Sequence, residues 1–340
     1  MIRERYSRQA LFAPIGKDGQ EKLAEKHVVI VGAGALGSAN SEMLARAGIG
    51  KITIIDRDYV EWSNLSRQQL FTEEDAELSR TKAKAAAKRL QAINSAITVE
   101  GIVEEFGPET AERLVEQADF VVDGTDNFNT RFIINDACAK AGVPWVYGGC
   151  LTSYGIVLPI VPGKTPCLQC LIDQLPQEEG RTCDTVGVIA PAVQITAAYQ
   201  TAECLKYLTG YELSQEMLNF DVWQRKHVSV NISSLIDSHC PSCSPKATYP
   251  YLMKQQGIQT AVLCGRDTVQ VRPAQTGNLS LASLVKQLKP LSESMKDNGE
   301  LLIFTIENTR FVVFKDGRTL IHGVKDVHQA KKLYQRYIGA

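Results

Sequence analysis

Short apolar, β-branched runs alternate with longer stretches of helical spacing over the first 150 residues. His27–Gly32 (HVVIVG) reads as a strand, Ala35–Ala47 as a helix and Lys51–Asp56 (KITIID) as the next strand. Thr81–Ile93 is an Ala/Lys/Leu-rich helix, Asp119–Asp123 a strand, Phe128–Ala141 a helix, and Trp145–Tyr147 the core of another strand. Strands alternating with helices predict βαβ units. The expected fold is therefore α/β, a Rossmann-like, mostly parallel sheet flanked by helices.

After Gly149 the pattern changes. Tyr154–Val161 is strand-like, and Val188–Leu208 reads as a long buried helix with Pro191 near its start, where proline is tolerated. Leu218–Val230 reads as two strands around a turn. The Cys- and Pro-rich stretch Ser238–Pro250 marks a boundary, giving residues 1–245 as one domain and 246–340 as a second, small α+β domain. In that tail Ala261–Leu263 and Thr268–Val271 read as strands, Ser280–Leu288 as a helix, Leu301–Ile306 and Phe311–Phe314 as a hairpin across Glu307-Asn308, and Val327–Ile338 as a closing helix. No residue cluster in the tail reads as a site.

Composition narrows the class. With 44% hydrophobic and 22% charged residues the chain is an ordinary globular protein, and a net charge of -1 without a basic block argues against nucleic acid. Met1–Gln9 has no apolar core of a secretory signal, and no segment is long and apolar enough to span a bilayer. The expected location is the cytoplasm, where the nine cysteines are reduced and metal binding or catalysis is favoured over disulfides.

Gly32-Ala33-Gly34-Ala35-Leu36-Gly37 is GxGxxG between a strand and a helix, the arrangement that brings backbone N–H groups to phosphates. Asp56 ends the next strand, where an acid can bond ribose hydroxyls. On the glycines alone most chains with this pattern read as NAD or FAD enzymes, so an NAD(P)-dependent oxidoreductase is the alternative reading. The polar loop Trp62–Gln69 suits a triphosphate better. It carries Ser63, Asn64, Arg67 and Gln68, and Lys82 opens a following helix. Phosphate oxygens call for Arg67 and Lys82, and magnesium for a carboxylate such as Asp126, which with Asn127 lies at a strand's carboxyl end. Taken singly, each has a bland alternative as a cap, a turn or a solvated charge.

Cys167-x-x-Cys170 and Cys240-x-x-Cys243 are two pairs about seventy residues apart, the pattern of a structural zinc site. A redox dithiol is the alternative, although neither pair reads as opening a helix after a strand. Cys183 lies beside Arg181 in a polar stretch, and is either an activated thiol or an idle loop cysteine. Cys138, Cys150, Cys204 and Cys264 sit in apolar runs and read as core.

Five motifs in order, RYSRQ (5–9), GAGALGS (32–38), IIDRDYVEWSNLSRQ (54–68), TKA (81–83) and DGTDN (123–127), resemble the ThiF/MoeB/HesA family, bacterial relatives of the ubiquitin-activating enzymes. The similarity runs from about Arg3 to Cys243, with Ala35 where some relatives have glycine. The resemblance implies a homodimeric adenylyltransferase that uses ATP and magnesium on the C-terminal Gly-Gly of a ubiquitin-fold sulfur carrier, ThiS-like or MoaD-like. It assigns Asp56 to the ribose, Asn64, Arg67 and Lys82 to the phosphates, Asp126 to magnesium, and Arg8 to the second subunit's site. It also implies zinc at the four paired cysteines and, in ThiF-like members, a covalent sulfur-transfer role for Cys183. A non-catalytic carrier-binding protein is a third reading, disfavoured by the complete ATP set.

Overall fold

The computed structural model describes residues 4–172, 186–253, 259–263, 268–273 and 279–339, with backbone alone for 259–263. Arg181, Cys183 and Cys264 lie outside the described residues. By contacts the chain forms two compact units, Met1–Glu77 with Thr81–Met253, and Leu78–Arg80 with Lys254–Ala340.

The first unit opens with two helices, α1 (Ser7–Ala10) and α2 (Gly16–Glu25). It continues as β1 (His27–Val31), α3 (Ala35–Ala47), β2 (Lys51–Ile55), α4 (Glu73–Glu77), α5 (Lys82–Ile93), β3 (Thr98–Ile102), α6 (Pro108–Val115), β4 (Phe120–Asp123), α7 (Phe128–Ala141) and β5 (Trp145–Leu151). Then come β6 (Tyr154–Ile160), the short α8 (Leu168–Leu171), the nineteen-residue α9 (Ala190–Leu208), β7 (Glu216–Asp221) and β8 (Lys226–Asn231). The eight strands make one sheet in the order β3-β2-β1-β4-β5-β6-β7-β8. It is parallel from β3 through β5 and antiparallel from β5 to β8.

Both faces of the parallel part are covered, which is why its strands are unbroken apolar runs rather than alternating ones. Val28 and Ile30 of β1 pack with Leu44, Leu90 and Leu208 on one side, while Val29 and Val31 pack with Leu114, Ile133 and Ile134 on the other. Full burial of each such side chain contributes about 1.5–3 kcal/mol. Helix α9 is amphipathic rather than wholly buried, with Tyr199 39% exposed, since it covers the sheet on one side only. Strand β3 and helix α6 do not stand out in the sequence. The strand is an edge that is largely open to solvent, so its side chains lack the apolar run of β1. Among the described residues no helix is long and apolar enough to cross a membrane.

The second unit, among the described residues, is a six-stranded antiparallel sheet with two helices, its strands ordered Ser294–Asp297, Leu301–Ile306, Thr309–Phe314, Thr319–His322, Thr268–Arg272 and Gln259–Leu263. Its strands are β9 (Gln259–Leu263), β10 (Thr268–Arg272), β11 (Ser294–Asp297), β12 (Leu301–Ile306), β13 (Thr309–Phe314) and β14 (Thr319–His322). Helices α10 (Leu281–Leu288) and α11 (Val327–Tyr337) contribute Leu284, Leu288, Ala330 and Tyr337 to a core with Val269, Phe304, Phe311 and Ile321. The predicted hairpin turns at Glu307 and Asn308, whose φ values of 51° and 58° give the two left-handed residues a tight hairpin needs.

Candidate active site

The carboxyl ends of β1 and β4 meet at the point where the strand order reverses, the place where open sheets of this kind bind ligands. Three glycines make the backbones approach there. A Cβ on Gly32 would stand 2.7 Å from the Gly124 carbonyl oxygen, one on Gly124 2.8 Å from Gly37 Cα, and one on Gly37 1.8 Å from the Gly32 carbonyl oxygen. Gly32 also has φ +91°, a conformation side chains disfavour. Gly34 differs. Its nearest neighbour would be Gly124 O at 3.8 Å, an ordinary contact, so packing does not require a glycine there.

Asp56 holds this loop. Its carboxylate oxygens accept hydrogen bonds from Ala33 N and Asp58 N, each at 2.6 Å. Burial and the Asp58 charge push the Asp56 carboxyl above the ordinary carboxylate range, while Lys82 and the two N–H donors oppose them. Lys82 is buried at the start of α5, with Nζ 3.5 Å from Asp58 Oδ2 and its backbone N–H on Asp58 O at 2.8 Å. Arg57, unremarked in the sequence, pairs with Glu105 at 2.9 Å. The charges of Asp58, Glu105, Asp126 and Asp56 hold its guanidinium above its ordinary value despite the opposing effect of burial.

The loop after β2 is ordered by its own polar groups. Asn64, 1% exposed, uses Oδ1 to accept Glu61 N at 3.0 Å and so caps the short Trp62–Asn64 turn. Arg67 donates to Ser63 O at 2.9 Å, and Ser63 is exposed. Gln68 is 4% exposed, with Oε1 buried and lacking a hydrogen-bond partner. Asp126 is exposed, and Asn127 caps α7 by accepting Thr130 N at 2.9 Å.

Two buried groups that sequence reading passed over shape the Asp126 loop. Arg131 donates to Asp123 Oδ2 (2.9 Å), Thr125 O (2.9 Å) and Gly148 O (2.7 Å), and lies 4.6 Å from the Tyr147 ring centroid. Asp123 in turn accepts Thr125 N and Oγ1. Gln200 of α9 donates to Asp123 O at 2.8 Å and accepts from Asn40 of α3 at 2.8 Å. A lone arginine inside the apolar run of α7 was the available signal for the first.

Arg8 is exposed on α1, and the segment before β1 is largely helical. Gly16–Gln20 belongs to α2, where Gln20 and Leu23 are buried. Arg5 donates to Ile93 O at 2.7 Å, Tyr6 Oη accepts from Asn94 at 2.8 Å, and Gln9 donates to Ala47 O at 2.9 Å. Helix formation lets this segment bury Leu23 and the Gln20 amide against the rest of the chain.

The four paired cysteines converge. Cys167 Sγ lies 3.8 Å from Cys170 Sγ and 3.6 Å from Cys240 Sγ, and Cys170 Sγ lies 3.5 Å from Cys243 Sγ. All four sulfurs fall within 4.8 Å of one another. A tetrahedral zinc with Zn–S of about 2.3 Å needs sulfurs about 3.8 Å apart, so the set fits zinc. Contrary to the expectation for these pairs, Cys167 does cap a short helix, α8, but convergence of the two pairs favours metal over a dithiol. Cys138 and Cys204 are core residues as expected. Cys150 is only partly buried, and its thiol lies 2.9 Å from Thr196 Oγ1.

Residues 6–242 match the ThiF family. Over 98% of this chain, the sequence is 48% identical to a Bacillus subtilis protein named sulfur carrier protein ThiS adenylyltransferase, 99% of whose length is covered. A protein of the same name from Escherichia coli is 36% identical, over 70% of this chain and 94% of its own. The crystal structure of E. coli MccB with ATP superposes with a TM-score of 0.61 at 28% identity, over 72% of this chain and 75% of that one. The chain belongs to the ThiF family.

Proposed function

We propose that this protein uses ATP to adenylylate the C-terminal carboxylate of a ubiquitin-fold sulfur carrier, releasing pyrophosphate. The carrying observation is the match over 98% of this chain to a ThiS adenylyltransferase, on a fold whose glycine loop and Asp56 lie at the carboxyl edge of one parallel sheet. That match extends through the tail unit, which favours a ThiS-like over a MoaD-like carrier and so thiamine over molybdopterin synthesis. It also weighs against an oxidoreductase.

In this reading the carrier carboxylate attacks the α-phosphorus. A carboxyl-oxygen–phosphorus bond forms, and the bond to the β-phosphate's bridging oxygen breaks. No general base is needed, because the carboxylate is ionised at neutral pH. Gly34 brings backbone to the phosphates, Asp56 takes the ribose, and Lys82 and Arg67 neutralise charge passing to pyrophosphate. Gln68 Oε1 offers a buried acceptor to a donor of the substrate. Asn64 acts by shaping the loop, since its side chain is engaged in the cap. Asp126, exposed at the loop tip, would hold magnesium, which neutralises phosphate charge when bound. Zinc at the four cysteines is structural, because protein fills all four positions.

The carrier's body is assigned to the open face of the antiparallel strands. Tyr154, Val228 and Val230 lie on that face, and Trp223, 81% exposed, stands in the adjoining β7–β8 turn. Tyr154 begins β6 next to the end of β5, at the same sheet edge as the glycine loop. Exposed Leu11 and Phe12 beside Arg8 suit a dimer interface, through which Arg8 reaches the second copy's site as part of a docked helix. The test is ATP–pyrophosphate exchange with purified ThiS-like and MoaD-like carriers. The reading predicts exchange with the ThiS-like carrier. Exchange with neither, or nicotinamide nucleotide binding in place of ATP, overturns it.

A further inference from the structure

Asn127, Arg131 and Asn135 follow one another at four-residue spacing along α7 and so share a face, and Phe128, Phe132 and Asp136 run beside them. The near end of this face holds the Asp126 loop, the nucleotide loop of this proposal because it carries the magnesium ligand, through the Asn127 cap and the bonds of Arg131 to Asp123 and Thr125. The far end, about 12 Å along the helix, holds the cysteine loops. Asn135 Oδ1 accepts the backbone N–H of Leu168, which lies between Cys167 and Cys170, at 2.8 Å. Asp136 Oδ2 accepts Tyr251 N at 2.8 Å, and the Tyr251 ring stacks on Phe132 with centroids 4.5 Å apart. Asn135 and Asp136 are fully buried.

A buried N–H that loses its acceptor is strongly disfavoured, so the Leu168 turn and α7 do not move independently. We infer that α7 couples the four-cysteine metal cluster to the nucleotide loop, with Asn135 as the positioning residue that joins them. The inference rests on the ATP reading above and on zinc as the cluster's metal. Coupling of two binding sites is reciprocal. ATP at the loop must tighten the hold on zinc by the same factor as zinc tightens ATP.

The test uses the zinc-loaded full chain, titrated with a chromogenic zinc chelator with and without saturating ATP and magnesium. Equilibrium dialysis with labelled ATP reports nucleotide occupancy in the same samples. ATP is expected to raise the chelator concentration for half-removal at least about fivefold, the lower end of typical coupling. Asn135→Ala should reduce that shift below about twofold while still binding one zinc and ATP. A wild-type shift under about twofold with ATP bound overturns the coupling. Failure of ATP to bind overturns the nucleotide reading instead. Hydrogen exchange on the wild type decides the matter even if Asn135→Ala does not fold. Zinc withdrawal should speed exchange at Thr125–Thr130 and leave Val28–Val31 protected. Unchanged exchange at Thr125–Thr130 counts against the coupling.

Discussion

The two glycines Gly34 and Gly37 stand three residues apart in one motif, yet the structure gives alanine opposite consequences at each. Gly37 lies inside α3, where alanine is ordinarily favoured by up to about 1 kcal/mol. Its added methyl would fall 1.8 Å from Gly32 O, so the helix must move by about 1.5 Å to reach normal contact. Overpacking of that kind costs about 1–3 kcal/mol or more, and here the obstacle is backbone, which cannot rotate away. The steric effect therefore wins, and Gly37→Ala should lower stability by about 2 kcal/mol, or about 4–8 °C in melting temperature for a unit of this size. Gly34→Ala meets only Gly124 O at 3.8 Å and should melt within a degree or two of wild type. If Gly34 is where backbone approaches the phosphates, a methyl there nonetheless intrudes on ATP. A displacement of about 1 Å at a reacting centre can cost about a hundredfold in turnover. Calorimetric melting and ATP–pyrophosphate exchange measured on both variants separate the two roles. A stable Gly37→Ala refutes the packing argument, and a fully active Gly34→Ala refutes the phosphate assignment.

Three further outcomes are expected. Asp58→Asn removes a charge that raises the Asp56 carboxyl, so that carboxyl ionises at lower pH and the acid limb of ATP binding should move down in pH; a limb that stays put or moves up contradicts the assignment of Asp56 to the ribose. Metal analysis of the purified protein should find about one zinc per chain, and a well-folded zinc-free protein would remove the four-cysteine site. Mixing inactive Arg8→Ala and Asp126→Ala chains under subunit exchange should restore up to about a quarter of wild-type activity if each site draws Arg8 from the other copy, whereas no recovery with exchange demonstrated rules out shared sites.

What could be read from the sequence was set by periodicity and by motif spacing. β1, β2 and β4 were visible because a sheet covered on both faces needs continuous apolar strands. The solvent-facing β3 and the charged β11 lacked that signature and went unread. Motif order located Gly32, Asp56, Lys82 and Asp126 near one edge, because the chain reaches that edge at the end of each parallel strand. It did not reveal that Asn64 turns inward as a cap, because spacing carries no side-chain direction. Nor did it show the helices before β1, where a short, mostly polar stretch with two glycines offers few apolar positions.

The groups hardest to read are those whose role is to hold others. Arg131, Gln200, Asn135 and Asp136 are polar side chains inside apolar helices, and each has its meaning only through a partner 8 to 115 residues away. Burial makes such groups costly unless satisfied, so their bonds fix loop shape more firmly than exposed ones would. The exposed residues proposed for chemistry, Asp126 and Arg8, carry few such constraints themselves. Their positions are inherited from Asp123–Arg131 and from the Gln9–Ala47 contact. Substitutions at the buried partners should therefore impair the proposed reaction without touching substrate, which is why loss of activity alone cannot identify a catalytic residue in this fold.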